Sequence, residues 1–137
     1  MTMGVDRVEG EPPVAVLTLE GELDASNYEG VIDAVRQAYA GGARGLVLDL
    51  SGLSFMASSG LFALHSAVRI MRGETPPDPE GGWGALREMA ADDAEGGSVR
   101  IAGAQDAIAR VLERTGMTRL FGMSDSRADA VAAIQGA

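Results

Sequence analysis

The sequence contains no cysteine and only one histidine, His65, among its 137 residues. The missing cysteines exclude disulfides, thiolate metal sites and a cysteine nucleophile. A single histidine cannot build a histidine-rich metal centre, and it leaves a Ser-His-Asp triad no choice of base. Composition therefore excludes cysteine-based sites and a metal centre rich in histidine.

Long apolar segments are also missing. No apolar run approaches the roughly 20 residues that a membrane-spanning helix needs. The N-terminal residues do not show the charged-then-apolar pattern of a secretion signal. The sequence therefore predicts no membrane span and a cytoplasmic location.

Positive charge is scarce, with 11 basic side chains against 20 acidic ones, a net charge of −9 and a pI near 4.4. Nucleic-acid phosphates select basic surfaces, so we expect no nucleic-acid partner. A protein partner with a basic patch is compatible with this charge. More than half of the net charge comes from residues 72–97, which hold seven acidic and two basic side chains.

Glycine and proline interrupt residues 73–97 repeatedly, which is typical of an irregular segment. The part of the chain after it is too short to fold alone, so we interpret the segment as an acidic insertion within one domain over residues 1–137. The pattern allows a short helix over residues 85–91. The lone tryptophan, Trp83, is either a binding residue or a cap over apolar surface.

Strand-like and helix-like patterns alternate through the rest of the chain. An alternating strand is predicted over residues 14–20, buried strands over residues 46–50 and 98–103, and a short edge strand around Val5 and Val8. Between the first two strands, Ser26 and Glu29 have the spacing of a capping box, and the apolar face that follows ends at Gly41-Gly42. The buried positions of that helix are predicted to be Tyr28, Val31, Ile32, Val35 and Tyr39.

Three further helices complete the pattern. After a predicted loop over residues 51–56, a helix presents Leu61, Leu64 and Val68 on its inner face. A second helix begins near Gln105 and ends at Gly116. The last helix begins near Ser124 or Ser126 and is predicted to bury Ala128, Val131 and Ala132. The order predicts an α/β fold, with a mixed four- to five-stranded sheet covered by about four helices.

The candidate functional residues lie where two strands end. Function in a parallel sheet concentrates at the carboxyl ends of the strands. Asp24 follows the strand over residues 14–20, Asp49 lies near the end of the next strand, and Ser58-Ser59-Gly60 begins a helix. We therefore expect Asp24 and Asp49 to lie beside the serines.

A serine at the first turn of a helix has two interpretations. Ser58 can simply cap the helix, with Ser59 as an ordinary first-turn residue. Alternatively, the unpartnered N–H groups and the helix dipole favour a phosphate on the serine. Gly60 would remove a side chain beside Ser59 and let the backbone of another protein approach.

These residues give the chain a resemblance to the STAS domain family, and most closely to bacterial anti-sigma factor antagonists. The resemblance covers about residues 14–72 and 98–135. It rests on Gly21-Glu22-Leu23-Asp24, Leu48-Asp49-Leu50-Ser51-Gly52, Phe55-Met56-Ala57-Ser58-Ser59-Gly60-Leu61, and the segment from Ile108 to Phe121. It implies a small STAS-like fold.

The resemblance also implies a binding module that is not an enzyme, with no catalytic residue, no metal site and no cofactor, and that takes part in a partner-switching cycle. In such a cycle the unmodified antagonist binds an anti-sigma factor, a serine kinase of the histidine-kinase-like ATPase type, and a sigma factor is released. The kinase phosphorylates the antagonist and a phosphatase resets it. The resemblance makes Ser59 the phosphorylated residue, with Asp24, Asp49, Ser58, Ser59 and Gly60 in the partner-binding surface. The family usually has an aspartate where this chain has Ala57.

Two alternatives stay open. Ala57 and the acidic insertion favour a STAS scaffold that is never phosphorylated and forms a fixed subunit of a signalling assembly or a transporter complex. An enzyme would need a carboxylate–hydroxyl site made from Asp24, Asp49, Ser58 and Ser59, with His65 as base. Nucleotide binding has little support, because the Gly-x-x-x-x-Gly-Lys phosphate loop is missing.

Overall fold

A computed structural model describes residues 1–74 and 98–136 of the chain. Its five strands form one sheet in sequence order: β1 (Thr2–Val8), β2 (Val14–Leu23), β3 (Gly45–Met56), β4 (Val99–Ala102) and β5 (Gly122–Ser124). β1 runs antiparallel to β2, whereas every other neighbouring pair is parallel.

Four α-helices occur in the described residues: α1 (Tyr28–Ala40), α2 (Ser58–Met71), α3 (Asp106–Arg114) and α4 (Arg127–Gln135). A 3-10 turn over Met117–Leu120 follows α3. The predicted mixed α/β fold is confirmed. Residues 75–97, which include the predicted helix over residues 85–91 and Trp83, lie outside the described residues.

The strands β2 and β3 are both longer than the sequence predicts. β2 continues through Gly21 to Leu23, and the predicted loop over residues 51–56 is the second half of β3. The register between these strands shifts twice, and each shift adds one residue on β3. Such bulges interrupt the two-residue alternation that identifies a strand in a sequence. The prediction of a loop was wrong for that reason.

Apolar side chains fill both faces of the sheet. The larger cluster lies on the face covered by α1, α2 and α3, and it includes Leu17, Leu48, Val35, Leu64 and Ile108. The smaller cluster lies on the face covered by α4 and contains Val14, Val16, Val47, Ala102, Ala130 and Ile134. The sheet is therefore covered on both sides, which explains the continuous apolar run in β3.

The predictions of the inner faces are right for α2, right in part for α1, where Tyr28 and Tyr39 are only partly buried, and wrong for α4. Val31, Ile32 and Val35 are buried in α1, and Leu61, Leu64 and Val68 are buried in α2. In α4 the buried residues are Ala130 and Ile134, whereas Ala128 and Ala132 are exposed. The hydroxyl of Ser126 caps α4 by accepting a hydrogen bond from the N–H of Asp129.

Candidate functional site

The two serines lie at the beginning of α2, as the sequence predicts, but neither is its cap. The N-cap residue is Ala57, which has no side-chain capping bond. Its backbone N–H donates to the carbonyl of Leu23 at 2.9 Å. This bond ties the end of β2 to the beginning of α2. The interpretation of Ser58 as an N-cap is therefore wrong, because Ser58 is already the first helical residue.

Both serines can be reached from solvent. Ser58 is exposed and Ser59 is partly exposed. The first turn of α2 contains no acidic residue. Because the first N–H groups of a helix have no intrahelical acceptor and carry partial positive charge, this end of α2 can accept an anion.

Gly60 faces the interior, contrary to the expected opening for another protein's backbone. A Cβ atom added there would lie 2.5 Å from Cγ of Met56 and 3.0 Å from Cγ of Leu23. The residue itself is buried. The glycine lets α2 begin directly against the ends of β2 and β3, so the structure gives it a packing role.

Asp24 lies at the same end of the sheet as the serines. It follows Leu23, whose partner across the ladder is Met56, two residues before Ser58. Its carboxylate accepts from the hydroxyl and from the backbone N–H of Ser26. These two hydrogen bonds lower the pKa of Asp24, so it carries a full negative charge at neutral pH.

The predicted capping box between Ser26 and Glu29 does not form. Ser26 directs its hydroxyl to Asp24, and the helix begins two residues later with Asn27 as its N-cap residue. The side chain of Asn27 accepts from the N–H of Asp24 and donates to the carbonyl of Glu22. Aspartate and asparagine in this spacing form local turns, a signal that sequence reasoning missed. These bonds fix the position of Asp24.

Asp49 does not lie beside the serines, and this expectation was wrong. It lies seven positions before Met56 in β3, which corresponds to roughly 20 Å of extended chain. Its side chain is on the α4 side of the sheet, where it is only 8% exposed. One oxygen, Oδ1, accepts from the N–H and the hydroxyl of Ser51.

The other oxygen of Asp49, Oδ2, binds Arg127 at the beginning of α4. Nε and Nη2 of Arg127 lie 3.1 and 2.8 Å from this oxygen. Burial raises the pKa of Asp49, but the hydrogen bonds from Ser51 and Arg127 outweigh burial and hold the pKa below its usual value. Asp49 is therefore a structural carboxylate that holds α4 against the sheet.

Arg127 is a residue that sequence reasoning missed. Its Nη2 also donates to the hydroxyl of Thr18 at 2.7 Å, and its Nη1 lies 3.4 Å from a carboxylate oxygen of Asp6. It therefore connects three strands to α4. Arg127 is the first residue of α4, where the positive end of the helix dipole disfavours a cation. An arginine predicted at that position therefore suggests a carboxylate partner.

Phe55 is a second residue that sequence reasoning missed. It is 51% exposed, lies opposite Glu22 across the ladder, and comes three residues before Ser58. The bulges in β3 turn this side chain outward while the neighbouring Met56 stays buried. An exposed aromatic side chain beside accessible serines is typical of a protein-binding surface.

The structure does not assemble the carboxylate–hydroxyl site that an enzyme would need. Asp49 is engaged with Ser51 and Arg127 at a distance from the serines. His65 follows Ser59 by six residues of helix, about 9 Å along the axis, and is only 1% exposed. Of the predicted site residues, the structure brings together Asp24, Ser58, Ser59 and Gly60, and it places Asp49 elsewhere.

No helix within residues 1–74 and 98–136 is both long and apolar enough to cross a membrane. Residues 7–74, about half of the chain, match the family model of the STAS domain. A comparison with curated protein sequences found no significant match.

Solved structures give the same fold. The unphosphorylated anti-sigma factor antagonist SpoIIAA is 20% identical, with a TM-score of 0.60 over 99% of this chain and 100% of that one. An anti-sigma factor antagonist from Mycobacterium paratuberculosis is 20% identical, with a TM-score of 0.64 over 97% and 94% of the two chains. Phosphorylated SpoIIAA from Bacillus is 19% identical, with a TM-score of 0.58 over 97% and 99%.

Proposed function

Since the chain contains a STAS domain, we propose that it is an anti-sigma factor antagonist that acts by binding and not by catalysis. In this proposal the unmodified protein binds an anti-sigma factor, a serine kinase of the histidine-kinase-like ATPase type, and so releases a sigma factor. Phosphorylation of Ser59 ends the interaction, and a phosphatase restores it. Such a role places the protein in the cytoplasm.

The observation that carries the proposal is the position of Ser59 at the accessible end of α2. The hydroxyl lies on a helix end that is tied to β2 by the bond between Ala57 and Leu23. A phosphate there would meet the partial positive charge of the helix and leave the buried side of α2 undisturbed. The domain can therefore gain a phosphate and stay folded.

Release of the partner follows from charge and volume. A phosphate adds about −1.5 to −2 charges at neutral pH and enlarges the side chain. Phe55, Ser58 and Asp24 border the site, so a partner that covers them would enclose the phosphate. Enclosing a charge without matched partners costs several kcal/mol, which shifts a dissociation constant by orders of magnitude.

A capture experiment tests this proposal. The wild-type protein and the variants Ser59→Ala and Ser59→Asp are used as baits in extracts of the native cell, with Ser58→Ala and Ser58→Asp as matched controls. We expect the wild-type, Ser59→Ala and Ser58→Ala proteins to capture a small ATPase, and Ser59→Asp to lose it. Equal capture by Ser59→Ala and Ser59→Asp would contradict the switch.

The modification itself is tested with the captured kinase. Incubation with ATP should add one phosphate, and peptide mass spectrometry should locate it on Ser59. A phosphate on another residue, or none with an active kinase, would contradict the assignment. Ser58→Ala should still be phosphorylated, whereas Ser59→Ala should not.

The second candidate function is a scaffold that is not phosphorylated, and Ala57 favours it. The family's usual aspartate would place a carboxylate directly before the serines, whereas the first turn of α2 here contains no acid. A kinase that recognises that carboxylate would not recognise this chain. A scaffold should be captured with a large assembly, and its binding should not respond to Ser59→Asp.

A further inference from the structure

The strand β1 leaves one side of the sheet open. β2 is its only partner among the described strands, so the backbone groups on the outer side of β1 have no strand to pair with. The opposite edge of the sheet is formed by β5, which has three residues, whereas β1 has seven. A long open edge is a template for another strand, and a short one is not.

β1 also exposes apolar side chains at this edge. Met3 and Val5 are 38% and 56% exposed, and they point to the same face because side chains alternate along a strand. Met1 is 43% exposed and precedes them on that face. Three of the five large exposed apolar residues in the described ranges therefore lie along one short strip.

β1 lacks three of the features that protect the edges of natural sheets. Natural sheets block edge pairing with lysine, proline or a bulge. The described strand contains no lysine and no proline, and its register with β2 is regular over seven pairs, from Thr2 opposite Glu20 to Val8 opposite Val14. β1 therefore has no bulge that would prevent a second strand from pairing along its seven residues.

The charged side chains of β1 are directed toward the domain itself. Asp6 lies 3.4 Å from the guanidinium of Arg127, and Arg7 donates to the carbonyl of Gly41 at the end of α1. β1 carries one charge of each sign, although the whole chain has a net charge of −9. Self-pairing of β1 therefore brings no surplus of acidic side chains together within the strand itself.

We propose that β1 pairs antiparallel with β1 of a second copy of this chain, around a two-fold axis at Gly4. In this register Met3 of each copy lies opposite Val5 of the other, so the apolar strip becomes continuous. Asp6 lies opposite Thr2 and Arg7 lies opposite Met1, so no two charged side chains face each other. A side chain at Gly4 would meet nothing within 4 Å in the free domain, so the axis position is open.

The resulting dimer contains a ten-stranded sheet and leaves both serine sites accessible. The axis reverses the strand direction from one copy to the other, so the two α2 helices begin at opposite ends of the dimer. The inference does not depend on the proposed function, since it uses neither Ser59 nor a partner protein.

The mass in solution tests the inference. Sedimentation or light scattering of the full chain should give a dimer at micromolar concentrations. Val5→Lys places a charge in the apolar strip and should give a monomer with an unchanged circular dichroism spectrum. Gln37→Lys adds the same charge on the exposed side of α1 and should stay dimeric. A monomeric wild-type protein, or a dimeric Val5→Lys variant, would overturn the inference.

The register is tested by crosslinking through an introduced cysteine, which would be the only thiol in each copy because the sequence has no cysteine. Gly4→Cys should link the two copies through a short bismaleimide. Ala128→Cys, on an exposed part of α4, should not. A dimer that links through Ala128→Cys and not through Gly4→Cys would overturn the proposed pairing.

Discussion

Arg127 and Asp49 are 78 positions apart in sequence and form a two-pronged ion pair, in which Nε and Nη2 of the arginine bind the same oxygen, Oδ2. The second oxygen of Asp49 is occupied by Ser51. The apolar contacts of α4 are few, with Ala130 and Ile134 as its buried residues. The ion pair is therefore a main contact between α4 and the sheet.

Replacing Arg127 should destabilise the domain. Arg127→Ala leaves the buried carboxylate of Asp49 without its cation, and we expect a loss of about 1–3 kcal/mol in the free energy of unfolding. Arg36→Ala breaks a surface pair with Asp33 and should cost no more than about 0.5 kcal/mol. Urea unfolding of both variants measures the difference. Equal losses would show that the ion pair at Asp49 is unimportant.

The stability of the domain should depend on the ionisation of Asp49. Its pKa is lower in the folded state than in the unfolded state, so its contribution is complete above the usual aspartate range and is lost as the pH falls through the folded-state pKa. Wild type should lose more stability than Asp49→Asn between about pH 5 and pH 2. Unfolding curves at several pH values measure this, and parallel pH profiles would contradict it.

Gly60 and Gly30 should respond in opposite directions to the same added methyl group. Gly60→Ala forces a Cβ against Met56 and Leu23, and we expect a loss of about 1–3 kcal/mol. Gly30 lies within α1 with open space at its Cβ, so Gly30→Ala should stabilise the domain by about 0.5–1 kcal/mol. Thermal unfolding tests both, and a neutral Gly60→Ala variant would refute the packing role.

Phe55 should contribute to partner binding and not to folding. If the proposed function is correct, Phe55→Ala should weaken capture of the ATPase by about tenfold or more, because exposed aromatic residues often dominate interfaces. Met123→Ala changes a 39% exposed apolar residue in the edge strand β5, and this variant should bind the partner normally. Titration against the purified partner measures both. Normal affinity of Phe55→Ala would place the interface elsewhere.

The regular parts of the fold follow from local patterns. The apolar periodicity predicts the inner face of α2 and the buried centre of α1 correctly, because residues three and four apart share one side of a helix. The two tyrosines at the ends of α1, Tyr28 and Tyr39, are only partly buried. The order of strands and helices predicts the mixed sheet. The serines were correctly assigned to the beginning of α2 from the Ser58-Ser59-Gly60 sequence.

The errors arise where tertiary contacts override local patterns. The bulges in β3 hide a strand, and the strand carries Asp49 away from the serines. Asp49 pairs with Arg127 of α4, which is 78 positions away in the sequence. Patterns among neighbouring residues cannot reveal such a pair. The role of Gly60 was misjudged because its contacts with Leu23 and Met56 come from the packing of α2 on the sheet.

The outer halves of β2 and β3 form a two-stranded ribbon, because β4 pairs only with Leu46–Asp49. Within this ribbon, residues 52–56 pair with β2 alone, and Ser58 and Ser59 follow them at the beginning of α2. A partner that binds the end of this ribbon would therefore touch only two of the five described strands. Substitutions at residues 55–60 and in the contacts of Asp49 with Ser51 and Arg127 should therefore have additive effects on the free energy of unfolding. The binding surface can then change in sequence while the contacts that hold α4 stay the same.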